Sequence, residues 1–467
     1  VHFGAGFKEK LAMWLATFFH GEGNESVMAS ALKKADVRQM SASGQEKAKV
    51  RFMSASGQEK AEVRSTPVTA KEKTGGGPSP GYIKENAARL LDVHGDSVLR
   101  MAYSYMHNMQ DAEKYLEQAA AAAKTFIEES GYTLYNQGDE PYRDLFCSDK
   151  AKTEEVVFAR LYQFETLNIS NSVQFNIRND AQGFTRRFMN HYLMADGSRF
   201  TAIEGHETMV YTEETKNRDP RMAQTVLCPG YIMKEETKPT PNDMTSLTGY
   251  EPIKFVASAA HSGASKGTMD WPLIRAAEVY LNYAEALAEL NQLDQTALDI
   301  SINKIRERAK MPALDMAAAN ADADPFLASC YPRVQDGANK GVILEIRRER
   351  TIELVMEGRR YHDIMRWKEG KVFEEEFLGM YIPGPGALDL NADGTADFNI
   401  ATESNAGSPD GLTTLKIGEN LTLVSDGTYN GESGFLTIHR NDVMNRKWIE
   451  ERDYYYPIPS KERVLTN

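Results

Sequence analysis

From residue 81 onward, apolar residues recur with a helical period. Val98, Met101, Ala102 and Tyr105 stand at i, i+3, i+4 and i+7. A second helix is expected from Ala112, just after the cap candidate Asp111. It would bury Ala112, Tyr115, Leu116, Ala119, Ala123 and Phe126 and close at Gly131. The two read as a helical hairpin of the tetratricopeptide kind. After Trp271-Pro272 comes the longest apolar face, Leu273, Ala277, Tyr280, Ala284 and Leu287, widened by Ile274, Leu281 and Ala288. Such a helix should be buried on more than one side. The next helix opens on Thr296 and Asp299 as an approximate capping box and carries Leu298, Ile302, Ile305 and Ala309 up to Met311-Pro312. A helix over 340–357 presents Ile343, Ile346 and Leu354 and ends at Gly358, and a short one follows over 359–368.

Two stretches break this period. Residues 132–270 and about 371–450 are rich in Gly, Asn, Thr and Pro, and predict loops with a few short strands. Glu155 to Ala159 (EVVFA) is one strand candidate, and Asp219-Pro220 has the form of a helix start, a cap followed by a proline that needs no N–H. The fold class expected is mainly α: tetratricopeptide-like helix pairs forming a scaffold with long loop-rich insertions and a few short strands.

Residues 1–80 differ from the rest. Lys34-Ala-x-Val-Arg38 recurs at Lys47 to Arg51 and Lys60 to Arg64, a spacing of 13 residues, and Met40 to Ala48 (MSASGQEKA) is repeated at Met53 to Ala61. Core-forming repeats use units of about 20 to 50 residues, so this reads as a recent duplication in an atypical segment, for which disorder is one reading. Thr74 to Pro80 (TGGGPSP) follows as a linker. Leu11 to Phe19 (LAMWLATFF), behind Lys8 and Lys10, has the outline of a secretory signal but is read as a short buried helix or stray segment. No run approaches the ~20 apolar residues of a spanning helix. Beginning at Val1, the sequence reads as a fragment whose true start is missing.

Charge and cysteines narrow the function classes. The net charge of −13 disfavours a phosphate backbone as partner, so no nucleic acid is expected. Cys147, Cys228 and Cys330 are too scattered for a disulfide framework or a zinc cage.

Four segments, in order, resemble one family, the SusD/RagB-type outer-membrane nutrient-binding lipoproteins. They are Asn190 to Gly197 (NHYLMADG) with Arg218 to Arg221 (RDPR); Leu273 to Ala286 (LIRAAEVYLNYAEA) with Ile302 to Ala309 (INKIRERA); Arg348 to Arg359 (RERTIELVMEGR) with Asp363 to Trp367 (DIMRW); and Tyr456 to Pro459 (YPIP) with Glu462. The resemblance covers residues 81–467. It implies a helical scaffold under a loop-rich binding surface, exposed at the cell outer membrane as a lid over a SusC-like TonB-dependent transporter. The ligand would be an oligosaccharide or other nutrient, bound and handed on without chemistry. The family's acylated cysteine would stand near the chain start; the first cysteine here is Cys147.

The motif charges Glu278, Glu285, Arg347, Arg350, Glu353 and Glu357 fall on or near packed helix faces and should pair as Arg–Glu locks, since a buried charge needs a partner. Trp367 should pack in the core. Gly263-Ala-Ser265-Lys-Gly267 matches a nucleophile elbow in letters only, lacking a strand before it and a helix directly after it. The sharpest chemical signal is Asp389, Asn391, Asp393 and Asp397, oxygen ligands at loop positions 1, 3, 5 and 9 with Gly394 at 6, a calcium-loop pattern. Position 12 is Ile400 where an EF-hand has Glu, and an Asx-rich turn fits the same residues. For stacking on sugar, Phe184, Phe188, Tyr192, Tyr211, Tyr250 and Tyr381 lie in loop-rich sequence. Two rivals stay open. One is an intracellular tetratricopeptide-type scaffold for peptides. The other is a glycoside hydrolase, which needs only two carboxylates at the right separation.

Overall fold

The computed structural model describes residues 50–52, 109–402, 411–438 and 446–455. The expected first helix around Val98, most of the 13-residue repeat, the apolar run at 11–19 and the closing YPIP motif lie outside these residues.

Helix α1 (Met109–Glu129) buries Ala119, Ala123 and Phe126, with Leu116 packed beside them, and Gly131 follows at φ 76. Asp111 lies inside this helix and does not cap it. The candidate strand is β2 (Val156–Arg160), which pairs antiparallel with β1 (Val50–Phe52). Among the short helices after it are two single turns, α2 (Tyr211–Glu214) and α3 (Pro220–Ala223). The start of α3 is as the sequence predicts: Pro220 opens it, and Asp219 accepts from the Arg221 N–H at 2.9 Å.

The residues around Pro272 correct the sequence reading. Trp271–Arg275 is a strand, β3, on the other edge of β2. A proline is tolerated on an edge strand, where its missing N–H leaves no ladder bond unmade. Leu273 therefore leaves the apolar stripe and is exposed. Helix α4 (Ala276–Glu289) begins only after Arg275. It is buried on several sides, as its two apolar stripes require: Ala277, Tyr280, Ala284 and Leu281 sit in one core with α1.

The next helix is two pieces, α5 (Gln295–Asp299) and α6 (Ile302–Arg308), broken at Ser301. The cap is Asp294, which accepts from Ala297 N–H at 2.8 Å, not Thr296. Helix α7 (Met316–Ala321) lies against α8 (Lys340–Glu353) near Gly341, where a Cβ would stand 1.8 Å from the Ala319 carbonyl oxygen. α8 stops four residues before the sequence reading ends it, because Met356 already takes a left-handed conformation at φ 59. α9 (Arg360–Trp367) closes on Lys368 at φ 56.

The stretch after residue 371 contains more strand than its composition predicts. β4 (Leu378–Ile382), β5 (Gly386–Leu388), β6 (Phe398–Ala401), β7 (Thr414–Lys416), β8 (Leu423–Ser425), β9 (Thr428–Tyr429) and β10 (Gly434–Thr437) form two small sheets, ordered β4-β10-β8-β9 and β5-β6-β7. Met380, Ile382, Phe398, Ile400 and Leu436 bury a second core against Tyr192, Tyr211 and Tyr250. The chain is thus mainly helical, with loop-rich stretches and short strands.

The expected charge locks are present and are larger than pairs. Arg275 donates to Glu155, Glu353 and Glu357; Arg308 to Glu155 and Glu353; Arg221 to Asp219, Glu349 and Glu353; Arg306 to Glu349; and Lys254 to Glu357 at 2.7 Å. These five cations face five carboxylates and all are buried or nearly so. Burial alone would raise the Glu353 carboxyl, but the Arg308, Arg275 and Arg221 guanidiniums hold it well below the usual carboxylate range. Glu285 binds Arg366, Arg350 and the Trp367 indole N–H (2.7 Å), Arg359 binds Glu278, and Arg347 binds Glu369. The network ties β2, β3, α3, α6 and α8 into one body and holds the loop-rich face on the helices.

Candidate functional site

Three stretches far apart in sequence meet at one surface cleft. Tyr211 at the start of α2, Met380, Tyr381 and Ile382 of β4, and Leu388 and Asp389 at the end of β5 line it. Its volume is about 160 Å³, less than the roughly 300–1,000 Å³ of pockets that take drug-sized ligands. The strand period explains the wall: Met380 and Ile382 point into the core, while Tyr381 is half-buried at the rim.

Each wall is braced from behind. The Tyr211 hydroxyl donates to the Leu227 carbonyl at 2.5 Å. Tyr381 stands opposite Phe435 on β10, and their rings meet edge-on at 5.5 Å. The Arg186 guanidinium lies 4.9 Å from the Phe435 ring centre and 3.6 Å from Glu214. The Tyr250 hydroxyl donates to both Glu214 oxygens, at 2.8 and 3.0 Å. Burial pushes the Glu214 carboxyl up, and Arg186 and Tyr250 pull it back. A cleft braced this way is preformed, so little ordering has to accompany ligand entry.

The four predicted calcium ligands lie beside the cleft, on the loop between β5 and β6. Asp389 Oδ2 accepts from Gly394 N–H at 2.9 Å, Asn391 Oδ1 from Asp393 N–H at 2.9 Å, and Asp393 Oδ1 from Thr395 N–H at 2.8 Å. Asp397 Oδ2 accepts from Leu390 N–H at 2.7 Å and Asn391 N–H at 3.2 Å. The Asn391 and Asp393 bonds are Asx turns, while those of Asp389 and Asp397 reach across the loop and close it on itself. Burial raises the Asp397 carboxyl, its two backbone donors oppose this, and the charges of Asp389 and Asp393 add to it. Asp389 Oδ1 is shielded from solvent and has no donor among the described residues. An acceptor left in that state costs about 1–3 kcal/mol. Among the described residues no three His, Cys, Asp or Glu side chains converge as a ready metal site. Ile400, at loop position 12, is buried in β6.

Of the six aromatic candidates, Tyr381 is half-buried at the cleft, and Tyr211 stands in its wall but is buried at 2% exposure. Tyr192, Tyr250 and Phe184 are buried in the core behind it, with Phe188 packed on them. The sequence offered no signal joining position 211 to 381. The alternation over Leu378 to Ile382 is the one clue that a half-buried strand stands there. Ser265 lies on a loop, at φ 57, with its N–H bonded to Ser172 Oγ at 2.8 Å, and the chain leaves it into β3 and not into a helix. The nucleophile-elbow geometry is absent at that position. The three cysteines are free and buried. Among the described residues no helix is long and apolar enough to cross a membrane.

Comparison with known proteins bears on residues that include the cleft, the loop and most of the charge network. A profile of the SusD family matches residues 154–466. Similar solved structures include a SusD-like protein from Bacteroides fragilis, with TM-score 0.52 and 21% identity over 82% of this chain and 63% of that one. A SusD-like carbohydrate-binding protein from the same organism is similar with TM-score 0.48 and 21% identity, over 75% of this chain and 60% of that one. The chain spans about three fifths of the length of these two structures. No curated protein sequence matches it.

Proposed function

Since the chain belongs to the SusD family, we propose that it captures glycans or related nutrients at the outer-membrane surface and passes them, chemically unchanged, to a SusC-like TonB-dependent transporter. The observation that carries the reading is the braced cleft inside the family-matched stretch. Tyr381 and Asp389, both half-buried, stand at its rim. Aromatic faces take the apolar face of a sugar ring and a carboxylate takes its hydroxyls. The Bacteroides fragilis relative described as carbohydrate-binding supports the ligand class. In this reading α1 packed on α4 is the tetratricopeptide-like side of the molecule, and the loop-rich face is the binding side.

Calcium belongs to the same proposal. The loop from Asp389 to Asp397 is closed by its own side-chain bonds, and among the described residues Asp389 Oδ1 has no donor. An ion there would draw on Asp389, Asn391, Asp393 and Asp397, and would stiffen the rim of the cleft.

A panel of purified oligosaccharides, titrated calorimetrically into the full chain with product analysis afterwards, tests the reading. Binding without cleavage is expected. Released sugars would make the protein a hydrolase, and no binding to any glycan sinks the proposal. Co-purification with the outer-membrane transporter tests the hand-off.

A further inference from the structure

Resting on the glycan-capture reading, we infer that Trp271, Arg160 and Tyr162 form a second glycan contact, sharing no residue with the cleft, for a sugar ring that bears a carboxylate or a sulfate. The stacking face comes from Trp271. Trp367 is buried, and Trp448 is enclosed by the rings of Phe373 and Tyr454, at 5.5 and 4.9 Å, and by Gly370, where a Cβ would stand 2.0 Å from the indole. Trp271 differs from both. Its ring lies nearly parallel to that of the buried Phe255, at 8° and 4.4 Å between centres. It is half-buried, and β3 is an edge strand of its sheet. A phenyl ring fixed in the core thus covers one face, and the exposure belongs to the side turned away from it. Among the described residues no other ring and no cation stands over the indole. A flat ring backed in this way takes the C–H face of a pyranose without rearranging.

The charge stands beside this face. Arg160 lies directly opposite Trp271 across the β2–β3 ladder, and residues opposite each other project to the same side of a sheet. Arg160 is exposed, and its guanidinium is 5.3 Å from the centre of the half-buried Tyr162 ring. Among the described residues Arg160 forms no salt bridge. The position of Tyr162 is fixed as well. Its N–H donates at 2.9 Å to Asp270, the residue before Trp271, and the same carboxylate accepts from Ala151 N–H at 3.1 Å. Asp270 is buried and engaged by these two backbone donors, so the acid nearest in the chain to Trp271 does not take Arg160. A guanidinium presents its N–H groups as a planar fork that fits the paired oxygens of an acidic group. A ring stacked on Trp271 with such a group at its edge meets both halves of the site.

The test titrates methyl glucoside and methyl galactoside, and the uronate and 6-sulfate of each, into the full chain, read by ligand-observed NMR and indole fluorescence. The expected result is that at least one acidic ring binds about threefold or more tightly than its neutral counterpart at low salt, and that the gap closes near about 0.5 M salt. The tighter of uronate and sulfate names the acidic group. Arg160→Gln should bring the ratio to about one, and Trp271→Ala should weaken that acidic ring about tenfold. Because Trp271 packs on the core, its loss can loosen the sheet; Arg160→Gln, at an exposed position, keeps the test independent of folding, with thermal melts run on both. Equal affinity for acidic and neutral rings at low salt, or a ratio that survives Arg160→Gln, would overturn the inference while leaving glycan capture standing. Native affinity in a folded Trp271→Ala protein would do the same. If neither the single rings nor the oligosaccharide panel bind, the capture reading falls together with this one.

Discussion

Arg275 closes on Glu353 twice. Its guanidinium donates to the Glu353 carboxylate at 2.6 Å and to the Glu353 backbone carbonyl at 2.7 Å. One arginine at the end of β3 thereby satisfies both a buried charge and a carbonyl left open at the C-terminus of α8. Arg308 and Arg221 reach the same carboxylate from α6 and α3. Replacing Glu353 by Gln keeps the volume and removes the charge that three buried guanidiniums share. A loss of about 3–5 kcal/mol in urea unfolding is expected. A loss below about 1 kcal/mol would mean that the network is not what joins the loop-rich face to the helices.

Glu251 contributes stability that falls as pH rises from about 4.3 to about 7. Burial pushes its carboxyl up to about 7, Arg178 pulls it down, and Asp243 pushes it further up. The folded value lies above that of the unfolded chain, near 4.3. The folded state therefore holds a proton that the unfolded chain gives up, and the associated stability is lost between about pH 4.3 and pH 7. Glu349, Glu353 and Glu357 are shifted downward, so their contribution disappears on the acid side instead, as pH falls below the ordinary glutamate range. Glu251→Gln should therefore gain on the order of 3 kcal/mol over the native chain at pH 8 relative to pH 4. Denaturant melts at the two pH values check it, and equal differences at both would refute it.

Tyr381 and Tyr250 separate binding from folding. Tyr381 is half-buried at the cleft, whereas Tyr250 is wholly buried and bonded to Glu214. Tyr381→Ala should weaken glycan binding by about tenfold with little change in melting, since one stacking face is worth roughly 1 kcal/mol or more. Tyr250→Ala should lower stability by about 3–5 kcal/mol, as large core truncations do. Equal effects on melting would place Tyr381 in the core.

Gly341 lets α7 approach α8. A methyl group there would collide with the Ala319 carbonyl, and the nearby Asn320 side chain accepts from Val342 N–H at 2.8 Å. Gly341→Ala should cost about 1–3 kcal/mol despite the higher helix propensity of alanine. A stabilised variant would show that the two helices can part freely.

Calcium added to the chelated protein should raise the melting temperature, and Asp393→Ala should abolish the rise. By linkage, a hundredfold excess over Kd is worth about 2.7 kcal/mol. No shift in either protein removes calcium from the picture.

The sequence by itself determined where the scaffold helices run and which of their faces are apolar, because a period of 3.6 is a local property. It also determined that the motif charges had to be paired, because Glu353 and Arg308 stand among core residues where an isolated ion is untenable. It did not determine the partners. Arg275 meets Glu155 and Glu353 across 120 and 78 positions, and no local pattern encodes such a meeting. Where Trp271 to Arg275 leaves the helix is likewise a tertiary outcome. The backbone of β2 offers bonds that an edge strand can take even with Pro272 in it, and this outweighs the helical spacing of Leu273. The same holds for the cleft. Tyr211, Tyr381 and Asp389 are unremarkable in sequence, and the packing of β4 and β5 on one shared core makes them neighbours. Local periodicity fixes elements, while the union of distant side chains is decided by burial, which only the assembled fold defines.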